Sequence, residues 1–382
     1  MQPSSIVSGL RNLTFFGTLA SSVALSVSLM SFSALADGHA NRMAFVPRVE
    51  GELSVEIQSD NTYKSDDASA ELSDTFNTTE LGATFHLAPF FQIVGSFVLE
   101  PVLDPTGDRV FEDHGAYAEE LYAKFVFSDI GISVGKYNPA FGRAWDATPG
   151  IYGVDFAEDY ELTERLGVSV GYEFAAGGLG GIALTASLYK VDDTNLSRSV
   201  LTSRDPEKTR RSDGGPSNTD GLESFALNAE IADIMKSGIG VNVGYRSQAK
   251  GIGPDDVDDE KGFVAGIFGE HKMHNVKFEW IVEGANFNNA DATSADRTYV
   301  TAGVQMTFNE RYYIALAGTH RKIDNAGGTD FTDRLFQISA GMEVYDGWTV
   351  DIGHKWDRTE DVDSRTFGVL IAKSFDFNTA KR

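Results

Sequence analysis

Two segments of the chain carry the spacing of a serine nucleophile. Gly131-Ile-Ser133-Val-Gly135 and Gly167-Val-Ser169-Val-Gly171 both match G-x-S-x-G. A nucleophile elbow needs a strand, a sharp turn and then a helix, so that the serine stands clear of the sheet beside a base. Here each pattern sits inside an unbroken alternation, Ile or Val on one face and Gly or Ser on the other. Both read as strand, and no catalytic residue is assigned. Gly177-Gly-Leu-Gly-Gly181 links two apolar segments without a following helix, so it reads as a turn rather than a phosphate cradle. His271 and His274 flank a short turn and lack the further ligands a metal would need. Asp255-Asp-Val-Asp-Asp-Glu260 lacks the spacing of a calcium loop and reads as a solvated acidic loop. With no cysteine in the chain, thiolate metal sites and disulfides are excluded. No metal, no cofactor and no enzymatic activity are expected.

The stretch with most to say is 138–161, NPAFGRAWDATPGIYGVDFAEDYE. It is long, yet Trp145, Pro149, Ile151, Tyr152, Phe156 and Tyr160 give it something to pack. A long loop with its own packing is often functional. It carries Asp146, Asp155, Glu158, Asp159 and Glu161, with Arg143 as its one base.

The elements that must hold this loop are strands. Trp348, Val350, Ile352 and Trp356 alternate with Thr349, Asp351, Gly353 and Lys355, a side-chain period of two. The same unit recurs at 46–58, 77–87, 90–100, 117–127, 130–137, 162–174, 181–190, 222–231, 238–248, 261–272, 275–285, 298–308, 311–321, 333–343, 347–357 and 365–377. Tight turns at Ala88-Pro89, Ser128-Asp129, Asn309-Glu310 and Asp346 alternate with long polar stretches at 59–76, 101–116, 138–161, 191–221, 249–260, 286–297, 322–332 and 358–364. Short turns on one rim and long loops on the other are the layout of a membrane barrel.

The two faces support this. Leu81, Phe85, Phe97, Val134, Val170, Val243, Phe278, Trp280 and Val300 fall on one side. Glu50, Glu52, Glu56, Glu120, Glu173, Lys277, Glu279, Arg311 and Asp351 fall on the other. Charges recurring on one face argue against a dry core. Tyr122, Tyr172, Phe174, Tyr299, Tyr312, Tyr313, Tyr345, Trp348 and Trp356 lie near strand ends, where outward rings would mark the lipid–water boundary.

The chain has 382 residues, 32 Lys plus Arg against 56 Asp plus Glu, and a formal net charge of −24. Such an acidic chain is a poor partner for nucleic acid. Arg11 is the sole charge in residues 1–36, an apolar run follows, and Ala34-Leu35-Ala36 has the small-x-small form of a cleavage site. Residues 1–36 read as a signal peptide and 37–382 as a single domain.

Architecturally the chain resembles the Gram-negative general porins and their specific-porin relatives. The likeness rests on the strand number, the turn alternation and the segment Val134-Gly-Lys-Tyr-Asn-Pro-Ala-Phe-Gly142 that opens the third loop. It implies an all-β transmembrane antiparallel β-barrel of about sixteen strands, with short periplasmic turns, long extracellular loops and a third loop folded into the lumen. It also implies that the loop acids Asp146, Asp155, Glu158, Asp159 and Glu161 face a basic wall of Arg48, Lys124, Arg165, Arg246, Arg321 and Lys355. The chain departs from the family in ending Phe377-Asn-Thr-Ala-Lys-Arg rather than on an aromatic residue. Its long loop 191–221 holds Arg198, Arg204, Lys208, Arg210 and Arg211, read as an exposed loop in preference to an anion funnel.

The expectation is a passive outer-membrane channel for small hydrophilic solutes and ions, mildly cation-preferring. It would sit in outer-membrane lipid and lipopolysaccharide, and by resemblance form a homotrimer. The alternatives are a ligand-specific uptake barrel for a siderophore, sugar or phosphate, and a barrel with an enzymatic or adhesive role.

Overall fold

The computed structural model describes residues 45–207 and 209–380. The expected signal peptide, residues 1–36, and Lys208 lie outside the described residues. The strands, in chain order, are β1 (Arg48–Ser65), β2 (Ser73–Ala88), β3 (Phe91–Pro101), β4 (Arg109–Val110), β5 (His114–Phe127), β6 (Ile130–Tyr137), β7 (Arg165–Ala175), β8 (Gly181–Val191) and β9 (Val200–Leu201). They continue as β10 (Ser224–Ala232), β11 (Ile239–Gln248), β12 (Glu260–Met273), β13 (Val276–Ala290), β14 (Ala295–Phe308), β15 (Tyr312–Asn325), β16 (Phe331–Tyr345), β17 (Trp348–Thr359) and β18 (Val362–Asn378). The two-residue strands β4 and β9 are loop segments laid against the wall. The other sixteen form one antiparallel sheet, and β18 pairs with β1 (Leu53 opposite Phe375, Ile57 opposite Ile371), so the sheet closes.

The alternation sets which face is which. Outward Phe97 is 46% exposed and Val300 52%, whereas inward Glu283 is 1% exposed and Glu260 2%. That inverts the pattern of a water-soluble protein and matches a sheet with oil outside. Asn309-Glu310 and Asp346-Gly347 have positive φ at both positions, the mirror-image turn that suits the strand twist.

Several strands run further than the hydrophobic alternation marks, all toward the long-loop rim. β1 reaches Ser65 and β15 reaches Asn325. Above the lipid both faces are polar, so the ladder continues where the pattern no longer reports it. For the same reason 358–364 is not a long loop: Glu360 and Asp361, both at positive φ, make a tight turn. Three of the aromatic residues placed near the boundary point inward. Tyr299 is 2% exposed, Tyr313 sits on the lumen face against Gly341, and Tyr122 packs on Tyr137.

Ser133 and Ser169 stand opposite one another on β6 and β7, both inward, with Ser187 Oγ donating to Ser169 Oγ at 3.1 Å. They are small residues on a wall, with no turn behind them. Gly135 earns its place by close approach: at φ +142° a Cβ there would lie 2.6 Å from the Leu121 carbonyl.

The outward belt makes a direct prediction. Val243 lies mid-strand on β11, outward between Ala229 and Ala265. Val243→Arg should cost about 2–4 kcal/mol if that position lies at the lipid midplane, read as a lower denaturant midpoint for the barrel folded into lipid vesicles.

Candidate functional site

The site begins at a neck. β6 stops at Tyr137, and the chain turns inward at Asn138. The Asn138 backbone N–H donates to Glu120 (2.9 Å), its Nδ2 to Glu119 (2.8 Å), and its Oδ1 accepts from the Glu164 N–H (2.8 Å). One asparagine thus joins both ends of the loop to β5. Two adjacent glutamates can serve it because β5 carries a bulge there: Ser96 faces Glu120 and Phe97 faces Ala118, leaving Glu119 as the extra residue. Bulges commonly re-aim a side chain in this way. Lys136, fully buried, bonds Glu164 (2.7 Å) and Asp192 (3.1 Å) at the same neck.

Past the neck the loop packs on the inner wall. Phe141, Ala144, Ala157, Tyr160 and Leu162 form a buried cluster with Tyr189, Val264, Ile281, Phe287 and Tyr299 of the wall. Burying a ring such as Phe141 is worth about 1.5–3 kcal/mol. Gly142, at φ +73°, lets the chain turn against Glu283, where a Cβ would meet Oε1 at 3.1 Å. Glu283 is the hub. It accepts from the Arg143 N–H (2.8 Å), the Ala144 N–H (2.9 Å), Tyr160 Oη (2.9 Å) and Asn242 Nδ2 (2.6 Å). A short helix, α1 (Ala144–Ala147), follows. Beyond it Gln337 Nε2 donates to the Pro149 carbonyl (2.9 Å), the Ile151 N–H to Ser339 Oγ (3.1 Å), and Tyr152 Oη to Asp60 (2.6 Å).

Two of the loop acids touch bases named for the wall. Asp155 and Lys355 Nζ are 2.7 Å apart, and Asp159 and Arg321 2.6 Å apart, with Arg321 also on Asp333 at 2.7 Å. Each cation lies over a loop ring, Lys355 4.7 Å from Tyr152 and Arg321 4.4 Å from Phe156. Arg246 donates to the Tyr160 carbonyl (2.6 Å) but pairs with Glu260 (2.7 Å) of its own wall. Glu260 is therefore buried and paired, not part of a solvated acidic loop. Arg143, the loop's one base, bonds Glu230 of β10 at 3.0 Å. Arg165 lies among Tyr189, Arg246 and Glu260, Lys124 near Glu120, and Arg48 beside Glu50 at 3.4 Å. None of these three pairs with an acid of the loop. Glu158 lies in the 3-10 turn Glu158–Tyr160.

The other side of the loop is rich in carboxyl groups, with Lys124 and Arg204 as the bases near them. Glu161 lies among Asp146, Glu120, Glu100 and Glu80, and Glu56 follows toward β1 beside Glu80 and Asp351. Burial, then the neighbouring Asp146 carboxylate, pushes Glu161 up to about 8. Burial likewise raises Asp146, opposed by Arg143, and Asp155, opposed by Lys355.

The basic loop is only partly exposed. Because β6 ends early, the upper edge of β5 is unpaired, and β9 covers it by pairing Leu201 and Val200 with Gly115 and Ala116. This brings Arg204 to Glu164 at 2.7 Å and over the Tyr117 ring at 3.4 Å. Arg198 and Arg210 remain exposed, and Arg211 pairs with Asp220. Glu283, Asn138, Asp60 and Glu119 were not singled out by sequence. Glu283 and Asp60 have the inward parity of their strands, but parity alone does not say what they hold.

A search of protein-family models finds no match, and a search of curated proteins by sequence finds none either. Solved structures do match. OprB of Pseudomonas putida is 11% identical over 86% of this chain and 94% of that one, with a TM-score of 0.60. The outer membrane channel DcaP of Acinetobacter baumannii is 12% identical over 88% and 99%, TM-score 0.54. The trimer form of OmpT, an outer membrane protein of Vibrio cholerae, is 11% identical over 86% and 99%, TM-score 0.51. The chain has the closed-barrel fold of Gram-negative outer-membrane proteins.

Removing the hub should free the loop. Glu283→Ala leaves several donors without an acceptor, at about 1–3 kcal/mol each. A lowered denaturant midpoint and new protease cleavage within 138–161 are expected, while Glu283→Gln, which keeps an acceptor, should show less of both.

Proposed function

We propose that the chain is an outer-membrane channel for passive diffusion of small hydrophilic solutes, cation-preferring, exported by its signal peptide and working without catalysis. The observation that carries this reading is a charged interior inside a closed sheet with an apolar exterior, crossed by a loop clamped to one wall. Charges on that scale need water or partners, and a water-filled lumen supplies the first.

The path we infer differs from a slot between acidic loop and basic wall. No solute passes between groups 2.7 Å apart, as Asp155 and Lys355 are. Arg321 and Lys355 serve to clamp the loop. The passage runs along its other side, toward β2, β3 and β5, where the carboxyl groups of Glu80, Glu120, Asp146 and Glu161 outnumber the one base beside them, Lys124, and carry negative charge to the extent that they are ionised. Rings of carboxylate favour cations, and such a lining repels phosphate, which weakens a phosphate-uptake reading. A homotrimer, the form in which the similar OmpT of Vibrio cholerae was solved, is part of the proposal.

Reversal potential across a planar bilayer under a KCl gradient tests this; an anion-sign potential would overturn it. Glu161 sharpens the test. With its pKa raised to about 8 it is neutral below that pH and anionic above. Cation preference should therefore rise from pH 6 to pH 9, and Glu161→Gln should reduce the rise without abolishing it, because other carboxyl groups line the same side.

A further inference from the structure

The inner face of β17, β1 and β2, on the short-turn side of the clamp, gathers acceptors and no base. Glu56 faces inward from the middle of β1 and is 5% exposed, yet it has no hydrogen-bond or ion-pair partner among the described residues. Its charged neighbours are Glu80 of β2 and Asp351 of β17, both acidic. Glu80 accepts from Ser96 Oγ (2.9 Å) and has Glu52 beside it. Asp351, 7% exposed, lies with Tyr313 Oη over Gly341. None of the three forms an ion pair among the described residues. Lys355, four residues along from Asp351, is held by Asp155, and Arg48 by Glu50.

Gln58 supplies a separate observation. It is 1% exposed, on the same inward face two residues after Glu56, and stands opposite Leu370, which stands opposite Asp351. Its Nε2 donates to Asp60 (2.9 Å), which fixes the amide, and its Oε1 is buried without a donor. A buried acceptor costs free energy unless a donor reaches it, and a buried carboxylate without a counter-charge costs more. The occupant that relieves all four groups donates hydrogen bonds, carries positive charge and brings no acceptor of its own. An ammonium group has three donors and no acceptor. A single metal ion does not suit, because no three carboxylate or histidine groups among the described residues converge enough to hold one. From β17 to β2 the patch spans three strand spacings, about 14 Å between backbones. One ammonium reaches only part of it, and two joined by a methylene chain reach both ends.

We propose that this patch is a lumenal binding site for a linear diammonium ion, one ammonium between Glu56 and Glu80 and the other at Asp351 and the Gln58 oxygen. This deepens the channel reading and rests on it: the passage would retain such solutes in transit as well as admit them. The test uses the full mature barrel in a planar bilayer in KCl at pH 8, with ion current followed as 1,6-diaminohexane, butylamine or MgCl2 is added. Diaminohexane should block the current saturably, at a concentration about tenfold or more below that of butylamine, and Glu56→Gln with Glu80→Gln should raise that concentration about tenfold or more. Glu173→Gln, which removes an acid of β7 outside the patch, should leave the block as in the wild type. Four outcomes overturn the proposal: butylamine blocking as well as the diamine, magnesium blocking at the same or a lower concentration, no effect of the paired Gln substitutions, or Glu173→Gln weakening the block as much as they do. Only conducting channels are counted, so a variant that fails to fold adds nothing, and the comparison of the three cations on the wild type decides by itself. Reversal potential on the same channels separates the two readings. A cation-preferring channel without diamine-selective block sinks the site alone, and an anion-sign potential sinks both.

Discussion

Everything in this molecule follows from the pairing of its first long strand with its last. A sheet in hydrocarbon can leave no edge, because each unpaired N–H or C=O costs several kcal/mol there. Register from Glu50 opposite Asn378 to Ser65 opposite Ser364 removes that edge along nearly the whole of β1 and β18. Once the sheet is rolled shut, the period of two sorts every side chain to oil or lumen, and the inward half is free to be polar. A soluble sandwich of the same residues would have to bury Glu283, Glu260, Asp333 and Lys136 against apolar partners. Here they become anchors.

Those anchors explain why the third loop lies inside. Its apolar residues pack on side chains of β8, β10, β12, β13 and β14, but its orientation is set by charge-assisted bonds to Glu283, Lys355, Arg321 and Asp60. Such bonds are stronger than neutral ones and specific in direction. They also occupy two basic residues of that wall, Lys355 and Arg321. The remaining carboxylates, from Glu56 round to Glu161, lie on the other side of the loop with few cations among them.

The wall was readable because it obeys a simple rule. Each of the sixteen expected segments overlaps a strand, and the errors fall at the long-loop rim, as at 59–65, 286–290 and 322–325, where strands continue into stretches read as loop. The loop was readable as something that packs, from Trp145, Tyr152, Phe156 and Tyr160, and two of its pairings, Asp155 with Lys355 and Asp159 with Arg321, join residues named in advance. The rest was not. Whether Arg246 meets a loop acid or Glu260 depends on which strand lies beside it at that height. Arg204, in a stretch read as solvated, is drawn inward because β6 ends early and leaves an edge of β5 to be covered.

By itself the sequence determined what is local and periodic: strands, the sign of each face, which rim carries the turns, and a loop with apolar content. A period of two is a property of neighbouring residues, so no folding is needed to see it. Only the tertiary structure decided which charges meet. Asp155 and Lys355 are 200 residues apart and Glu283 and Ala144 139 apart. Contacts at that separation depend on closure and register, and a bulge of one residue at Glu119 is enough to change which carboxylates reach Asn138.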